Sequence, residues 1–534
     1  MPEKEFNLLH EPWIQVIKPD GAAQEVSLLE LFRRAPEWRG LAGELPTQDV
    51  AVLRQLLAIL HAVFGRYDLD GSYDPPSSPA AALKRWKAIW YLGRFPIRII
   101  EDYLLHFEDR FWLFHPEHPF YQVAGLDKAT DYTAAKLNGE LSESGNKLRL
   151  FPQRTGGGKS RLRYSEAARW LLYVNAFDDT SAKPTKRKMG LPSPGAGWLG
   201  KLGLITAVGD SLFQTLMLNL VFLKDGENEL WGKEMPIWEQ PVKADERTRI
   251  TLPDNPSELL TLQSRRLKLK REGDSVVGFS LVGGDFFSKE NAFAEQMTVW
   301  RNAAKKETDP PEYHPKRHDP ARQIWREFST LIAQGESMRR SGVVNWLARL
   351  KADKLILQSY LCFQTTAVKY GDKDFFVDDV FSDSISLNAG LLTALGLDWV
   401  NRIIDELETT EKLVQQMGRL AQNLAKAAGN ADGKRQKEVA KEQAYFRLDI
   451  PFRKWLETIN PERDEMVTVC DQWWEQARRT VRDLGKELVE QAGPKAFVGR
   501  VLTENKKEQR YTAPEAFNRF LYYTATREAL KGGR

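Results

Sequence analysis

Apolar residues in the first hundred positions alternate between strand-like and helix-like spacing. Residues 13–17 (Trp-Ile-Gln-Val-Ile) predict a strand, and a Pro-Asp-Gly turn follows it. Ser27 is placed to cap a short helix over residues 28–34. From Asp49 to Val63 the apolar positions recur every three or four residues, which predicts an amphipathic helix. The chain therefore begins by mixing strands with helices.

The middle of the chain continues this mixture. Residues 165–174 predict a helix, and residues 323–334 predict another. Residues 260–270 and 275–281 are separated by an Arg-Glu-Gly-Asp turn, so they predict a β-hairpin. These elements favour one large α/β region.

After about residue 385 the pattern becomes helical throughout. A first long stripe runs from Trp399 to Leu424, and glycines at 429–433 end it. Pro451 predicts a kink or stop in the second helix near Ile450. Third and fourth helices follow over residues 469–488 and 512–524. We predict an α+β fold: a mixed α/β domain over residues 1–384 and a four-helix bundle over residues 385–534.

Composition narrows the class of protein. The chain has 534 residues, of which 42% are hydrophobic, so we expect two or three folded domains. Apolar runs long enough to span a membrane and a signal-peptide pattern are not evident in the sequence. The two cysteines, Cys362 and Cys470, are far apart, which argues against a cysteine-based zinc site and favours the reducing cytoplasm.

Positive charge and glycine are concentrated in residues 147–203. This segment has twelve Lys or Arg residues, three acids and eight glycines, so it carries +9 in a chain whose net charge is +4. Clustered cations attract phosphate chains, and glycines allow a ligand to approach the backbone closely. The segment predicts a nucleic-acid contact surface built from loops, and a solvated insertion is the alternative interpretation.

Two patterns could in principle support enzymatic chemistry. Gly158-Lys159-Ser160 resembles the end of a phosphate-binding P-loop, but Gln153 stands where the first glycine belongs. The histidine pairs His115/His118 and His314/His318 would bind a metal only if their loops met. A metal-dependent nuclease or NTPase acting on nucleic acid is therefore the alternative function, while we predict no catalytic residues, metal or cofactor.

A series of short motifs carries a family resemblance. In their order and spacing they resemble the CasA-type large subunit of the type I-E CRISPR surveillance complex, Cascade, over nearly the whole chain. The motifs are Asn7-Leu-Leu-His-Glu-Pro-Trp-Ile14, Phe114-His-Pro-Glu-His-Pro-Phe-Tyr-Gln122, Gly145-Asn-Lys-Leu-Arg-Leu-Phe151, Ala167-Ala-Arg-Trp170, Gly197-Trp-Leu-Gly200, Thr261-Leu-Gln-Ser-Arg-Arg266, Met297-Thr-Val-Trp300 and His318-Asp-Pro-Ala-Arg322.

The resemblance implies a non-enzymatic subunit. It implies contact with the 5′ handle of the guide RNA, other Cascade subunits, double-stranded target DNA and a separate helicase–nuclease that the subunit recruits. It also implies recognition of a short protospacer-adjacent motif and help in opening the duplex. Some relatives carry paired CxxC motifs, which this chain lacks, and Trp198 stands where a further loop glycine is found in them.

The resemblance also implies site residues. A glycine loop that meets the motif falls on residues 194–197, and a glutamine wedge falls on Gln364. Its motif-contacting lysine falls near Lys289. Together with the basic segment and a basic row on the third bundle helix, the nucleic-acid-binding residues that we predict are Gly195, Ala196, Gly197, Gln364, Lys289, Arg149, Phe151, Arg154, Lys159, Lys186, Arg187, Lys188, Arg478, Arg482 and Lys486.

These residues have different expected roles. The part around Phe151, with Arg154 and Lys159, is expected to meet the guide handle and neighbouring subunits. Residues 186–188 are expected to supply non-specific affinity for phosphates. The row at 478, 482 and 486 is spaced by four residues, so it marks one helix face that either holds opened DNA or is merely solvated.

Overall fold

The structure is a computed structural model that describes residues 4–126, 129–139, 154–180, 194–243, 245–304, 306, 309–332, 338–430, 432–504 and 507–532. Helices account for 47% of the chain and strands for 19%, distributed over several small sheets, which confirms the α+β class. The helices are α1 (Leu28–Arg33), α2 (Pro46–Phe64), α3 (Pro79–Leu92), α4 (Ile97–His106), α5 (Ala134–Leu137), α6 (Tyr164–Phe177), α7 (Leu212–Asn219), α8 (Pro256–Leu260), α9 (Phe328–Ile332), α10 (Gly342–Ala352), α11 (Leu397–Ala428), α12 (Lys434–Thr458), α13 (Met466–Glu490), α14 (Pro494–Val498), α15 (Ala513–Tyr523) and α16 (Arg527–Gly532).

The strands are short apart from four in the middle of the chain. They are β1 (Glu5–Asn7), β2 (Ile14–Ile17), β3 (Ala23–Val26), β4 (Gly40–Leu41), β5 (Trp112–Phe114), β6 (Thr130–Thr133), β7 (Leu204–Val208), β8 (Leu223–Lys224), β9 (Glu229–Leu230), β10 (Arg265–Glu272), β11 (Ser275–Gly283), β12 (Trp300–Asn302), β13 (Tyr313–Pro315), β14 (Met338–Arg339), β15 (Tyr360–Tyr370), β16 (Val377–Asn388), β17 (Arg500–Glu504) and β18 (Lys507–Tyr511).

The chain divides into two compact units. The first comprises Met1–Arg322, Gln334–Leu357 and Leu361–Ser384. The second comprises Ile385–Arg534 together with Gln323–Ala333 and Gln358–Tyr360. The second unit thus takes in two short segments that the sequence pattern assigned to the first domain.

Helix α2 forms the centre of the first unit. Pro46 occupies its first position, where the missing N–H costs nothing, and its residues are buried nearly all round. By length and composition it could cross a membrane, contrary to the expectation from sequence, but 94% of that apolar window is buried inside the fold. Burial of this kind is typical of a core helix.

Two three-stranded sheets position the candidate site in the first unit. Strands β10 and β11 form the predicted hairpin, although it begins at Arg265 because residues 256–260 are helical. Strand β6 pairs with the other edge of β11. In the second sheet β15 lies between β16 and β7, and Gln364 of β15 is directly opposite Thr206 of β7.

The second unit is built around α11, which packs against α12, α13 and α15 as the predicted four-helix bundle. Helix α11 ends at Gly429, whose φ of +115° is accessible to glycine at little cost. Of the kink or stop predicted near Ile450, the stop is wrong, because α12 continues through Pro451 to Thr458. Phe452 beyond the proline stacks on Trp325 with ring centroids 4.8 Å apart, and this burial offsets the lost backbone hydrogen bond.

Candidate nucleic-acid interface

A buried arginine holds the glycine loop in place. The guanidinium of Arg265, which is 1% exposed, donates from Nε to Oδ2 of Asp178 at 2.5 Å and from Nη2 to the Gly195 carbonyl at 2.7 Å. It also donates to the carbonyls of Ser264, Asp178 and Asp179 at 3.0–3.2 Å. Because the guanidinium fork is planar and rigid, one side chain fixes both the end of α6 and the loop backbone.

Only the first part of the glycine loop is accessible. Gly195 is partly exposed and has a φ of +65°, which favours glycine. Ala196 is 3% exposed, and Gly197 is buried so tightly that a Cβ there would lie 2.3 Å from the carbonyl oxygen of Ala176. The geometry limits the predicted DNA contact to Gly195, because Gly197 packs against the protein's own helix α6.

The loop is anchored at its other end through Trp198. The Trp198 N–H donates to Ser264 Oγ at 3.1 Å, and its indole Nε1 donates to Glu295 at 2.8 Å. Glu295 in turn accepts two hydrogen bonds from Arg54, at 2.8 and 2.9 Å, in a fully buried ion pair. Charge-assisted bonds of this kind are strong and directional, so the loop conformation is fixed before any ligand binds.

Lys201 lies close beneath the glycine loop among other cations. A Cβ built on Gly195 would be 3.9 Å from Lys201 Cε. Burial, followed in order of effect by the positive charges of Arg265, Lys289, Arg247 and Arg317, lowers the pKa of Lys201 from 10.5 to about 8. Lys201 and Arg247 line one shallow cleft together with Arg265. This is a concentration of positive charge beside an exposed glycine.

Lys289 belongs to the same neighbourhood. Its side chain is exposed, and it follows Phe286 and Phe287, which line the cleft next to Lys201. Its charge is one of those that depress the Lys201 pKa. The structure therefore brings Lys289 near the glycine loop, as the sequence prediction required, and its contact with DNA stays a prediction.

Gln364 lies on the partly exposed side of β15. Its Nε2 donates to Ser382 Oγ at 2.7 Å, while the flanking Phe363 and Thr365 are buried. The chain that leaves the glycine loop passes through the 3₁₀ turn at residues 199–201 and becomes β7, whose Thr206 is opposite Gln364. The loop and the glutamine are therefore carried by two adjacent strands of one sheet.

The two described cations near the predicted handle-facing segment differ. Arg154 pairs with Glu44 at 2.5 Å and with Glu166 at 3.3 Å, and its side chain is only 16% exposed. We therefore expect Arg154 to hold its segment rather than a phosphate. Lys159 is partly exposed in the 3₁₀ turn Gly156–Lys159, where it remains a predicted contact.

Comparison with known proteins decides the family. The family model for "CRISPR-associated protein Cse1" matches residues 7–484. The chain belongs to the Cse1 family. It is 28% identical to CasA/Cse1 of Thermus thermophilus, with 95% of this chain and 99% of that protein covered. The sequence-based resemblance to a CasA-type subunit is confirmed.

Solved Cse1 structures share the fold over the full length. Cse1 of Thermobifida fusca is 31% identical with a TM-score of 0.83, covering 99% of this chain and 98% of that one. Cse1 of Acidimicrobium ferrooxidans is 25% identical with a TM-score of 0.79, covering 100% and 99%. A chain of a structure described as a CRISPR RNA-guided surveillance complex has the same fold at 16% identity, with a TM-score of 0.69 and coverage of 98% and 100%.

The basic row on α13 of this Cse1 chain is less exposed than its spacing suggests. Arg482 donates from Nε to Thr524 Oγ1 at 3.0 Å and from Nη2 to the Leu521 carbonyl at 2.7 Å. It therefore caps the C-terminal end of α15, where the helix dipole and free carbonyls favour a cation. Arg478 pairs with Glu475 at 2.6 Å and is 26% exposed.

Of the three residues in that row, only Lys486 is largely exposed to solvent. Its side chain is 69% exposed, and Glu490 lies one turn away with an N–O distance of 3.8 Å. The prediction of one exposed three-cation face is therefore replaced by two arginines engaged with the protein and one solvated lysine.

The geometry does not support the alternative enzymatic sites. Among the described residues, no group of three or more His, Cys, Asp or Glu side chains is arranged to hold a metal ion. Nδ1 of His115 accepts backbone N–H bonds from Glu117 and His118, as expected of a turn histidine. Lys159 ends a separate 3₁₀ turn before α6 begins at Tyr164, whereas a P-loop lysine opens the helix itself.

Arg149, Phe151, Lys186, Arg187 and Lys188 lie outside the described residues. Their contacts with the guide handle and with phosphates stay predictions.

Sequence reasoning missed the residues that organise the site. In the sequence, Arg265 stands out only as part of a family motif, and Lys201 only as one of the twelve cations in residues 147–203. Arg247 and Arg317 were not singled out. The adjacent pair Arg265-Arg266 at the start of a predicted strand was the available signal, because arginines that enter a core must find fixed partners.

Proposed function

We propose that this Cse1 chain is the non-catalytic large subunit of a cytoplasmic CRISPR RNA-guided surveillance complex. In this proposal it recognises a protospacer-adjacent motif in duplex DNA, promotes strand opening and recruits a separate helicase–nuclease. Its other partners are the 5′ handle of the guide RNA and the remaining Cascade subunits. Family membership and the shared fold with a chain of a surveillance complex support the proposal.

The proposed recognition of DNA depends on one observation. The partly exposed Gly195 and the wedge candidate Gln364 belong to one scaffold, because the loop continues directly into the strand that pairs with β15. A glycine backbone fits a narrow minor groove, where recognition relies on a degenerate acceptor pattern. A side chain held nearby can then act at the first base step, where unstacking costs a few kcal/mol.

The wedge is tested by comparing Gln364→Ala with Ser382→Ala in the assembled complex. Both remove the same side-chain hydrogen bond of 2.7 Å, but only the first removes the amide. We expect Gln364→Ala to slow strand opening by about tenfold on paired targets and much less on targets pre-melted beside the motif, since these need no unstacking. Ser382→Ala should behave as the wild type.

Equal losses on paired and pre-melted targets would assign Gln364 a positional role.

The motif contact is tested separately by comparing Gly195→Asp with Gly195→Asn. Both residues tolerate positive φ, and nothing but Lys201 Cε lies within 4 Å of the added Cβ. We expect the charged variant to weaken motif binding on both targets. If the two variants bind equally, the motif reader lies elsewhere.

A further inference from the structure

The shallow cleft beneath Gly195 has no role in the function proposed so far. Its lining includes Pro194, Trp198 and four charged residues, Lys201, Arg247, Arg265 and Asp285. Its volume is about 10 Å³, which is room for about one water molecule or one oxygen atom of an anion. A cleft of this size cannot enclose a base or a nucleotide, but it can seat one oxygen of a group that lies over its mouth.

The carboxylates near this cleft are already engaged by arginines. Asp178 accepts from Arg265, and Asp285 forms an ion pair with Arg266. Asp374 forms a bidentate pair with Arg317, with both N–O distances at 3.0 Å. The arginines that surround Lys201 are thus neutralised in part by the protein itself.

Lys201 has no such partner. Within the part of the chain that the structure describes, no carboxylate forms an ion pair with its ammonium group. Its pKa is lowered to about 8 by burial and by the four neighbouring cations, which shows that the folded protein disfavours this charge. A lysine kept in such surroundings gains most from an anion supplied from outside.

The glycine above Lys201 keeps the approach open. Gly195 has no side chain to cover the lysine, and its carbonyl is turned inward to Arg265 at 2.7 Å. Arg247 lies against the Phe286 ring, with its guanidinium carbon 4.1 Å from the ring centroid, so it is held at the edge of the same cleft. An anionic oxygen can therefore reach Lys201 between a bare backbone and a positioned guanidinium.

We infer that Lys201, assisted by Arg247, binds a non-bridging oxygen of one DNA phosphodiester at the motif that Gly195 contacts. The inference rests on the proposed function and names the phosphate that fixes the register of the loop on the duplex. Contacts with phosphates position a protein on DNA without reading its sequence. The contact with Lys201 would therefore contribute equally to the affinity for every motif sequence.

The test uses the full chain in the assembled complex and a duplex that carries the motif. Lys201→Met removes the charge at similar length, and Lys201→Arg keeps it. We expect Lys201→Met to weaken binding about tenfold at low salt and to reduce the salt slope by about 1, while Lys201→Arg retains most of the affinity. Wild-type affinity should fall as the pH rises from 7.5 to 9, and that of Lys201→Arg should not.

A neutral methylphosphonate placed at successive positions of the duplex identifies the phosphate. One position should weaken the wild type but not Lys201→Met, because the variant has already lost that contact. No coupling at any position would overturn the inference. If Lys201→Met instead impairs assembly on the guide RNA, or only loses protection by inorganic phosphate in thermal unfolding, a DNA phosphate is also excluded.

These outcomes separate the inference from the function on which it rests. An unaffected Lys201→Met alongside the expected losses for Gln364→Ala and Gly195→Asp would overturn the phosphate site alone. Normal behaviour of all three variants would overturn the proposed mode of DNA recognition as well.

Discussion

Two groups of cations in this chain have different partners. On α13, Arg482 donates to the carbonyl end of α15 and Arg478 pairs with Glu475. Around the glycine loop, Arg265 is fully bonded within the fold, but Lys201 beside it lacks a carboxylate among the described residues. Spacing along a helix thus marked two arginines that the fold uses internally, whereas Lys201, which has no such spacing, lacks a carboxylate partner in the described part of the chain.

The difference teaches what a basic residue needs in order to bind an external anion. Two cations whose pKa values the fold lowers can have opposite roles, because the role depends on the acceptors that tertiary packing brings to them. Burial and a neighbouring positive charge lower the pKa of Arg482, yet its guanidinium still has acceptors in the protein. Lys201 is desolvated by burial, and no carboxylate among the described residues compensates for it.

The largest expected effect is the difference in stability between replacing Arg265 and replacing Arg482. Arg265→Met removes a donor from the Asp178 carboxylate and from four backbone carbonyls, so we expect a loss of about 3–5 kcal/mol in the free energy of unfolding. Arg482→Met removes a helix cap, and we expect a loss of about 1 kcal/mol. Urea denaturation and hydrogen exchange in β10 and α15 measure the two effects. Equal losses would contradict the distinction between the two regions.

The fold was largely predictable because it depends on periodic apolar burial. The bundle helices and the hairpin over 265–283 follow from residues that repeat at the spacing of their buried faces. The hairpin of β17 and β18 was missed, since alternating charges and exposed positions such as Val501 give it no apolar pattern. The stacking of Phe452, just beyond Pro451, on Trp325 could not be predicted, because the two residues are distant in sequence.

The candidate site was predictable only in part. The resemblance placed the glycine loop and Gln364, and the structure carries both on adjacent strands. The lack of a carboxylate partner for Lys201 among the described residues could not be predicted. It depends on two ion pairs formed by other residues: Asp178 with Arg265, and Asp374 with Arg317. Pairings over such distances in sequence leave no local pattern.

A second prediction concerns the cost of keeping Lys201 charged. Because its native pKa is lowered from 10.5 to about 8, the folded state disfavours the ammonium at pH 7. We expect Lys201→Met to raise the free energy of unfolding by roughly 1–3 kcal/mol at pH 7. The gain should shrink as the pH rises from 8 to 10.5, since the native lysine then loses its proton before the unfolded one does.

Denaturation of both proteins at several pH values measures this difference. Lys201→Arg serves as the control, because it stays charged throughout and should show no such relief. A variant that is less stable than the wild type at pH 7 would show that Lys201 has a partner inside the protein. The contrast between Lys201 and Arg482 would then fail, because both cations would have partners inside the fold.

The smallest expected effect is at Lys486, the one exposed member of the α13 row. Its ammonium lies 3.8 Å from Glu490 and is 69% exposed, so water and a neighbouring acid already solvate it. We expect Lys486→Glu and Lys486→Gln to change the affinity for unpaired target DNA by less than about twofold in the assembled complex, at an unchanged salt slope. Unfolding of the two variants should match the wild type, which separates binding from stability. A loss in the Glu variant that exceeds the loss in the Gln variant and disappears at high salt would instead show that this face holds opened DNA. Two regions of the chain would then bind nucleic acid, with only the glycine-loop region built around a lysine that the fold leaves without a carboxylate.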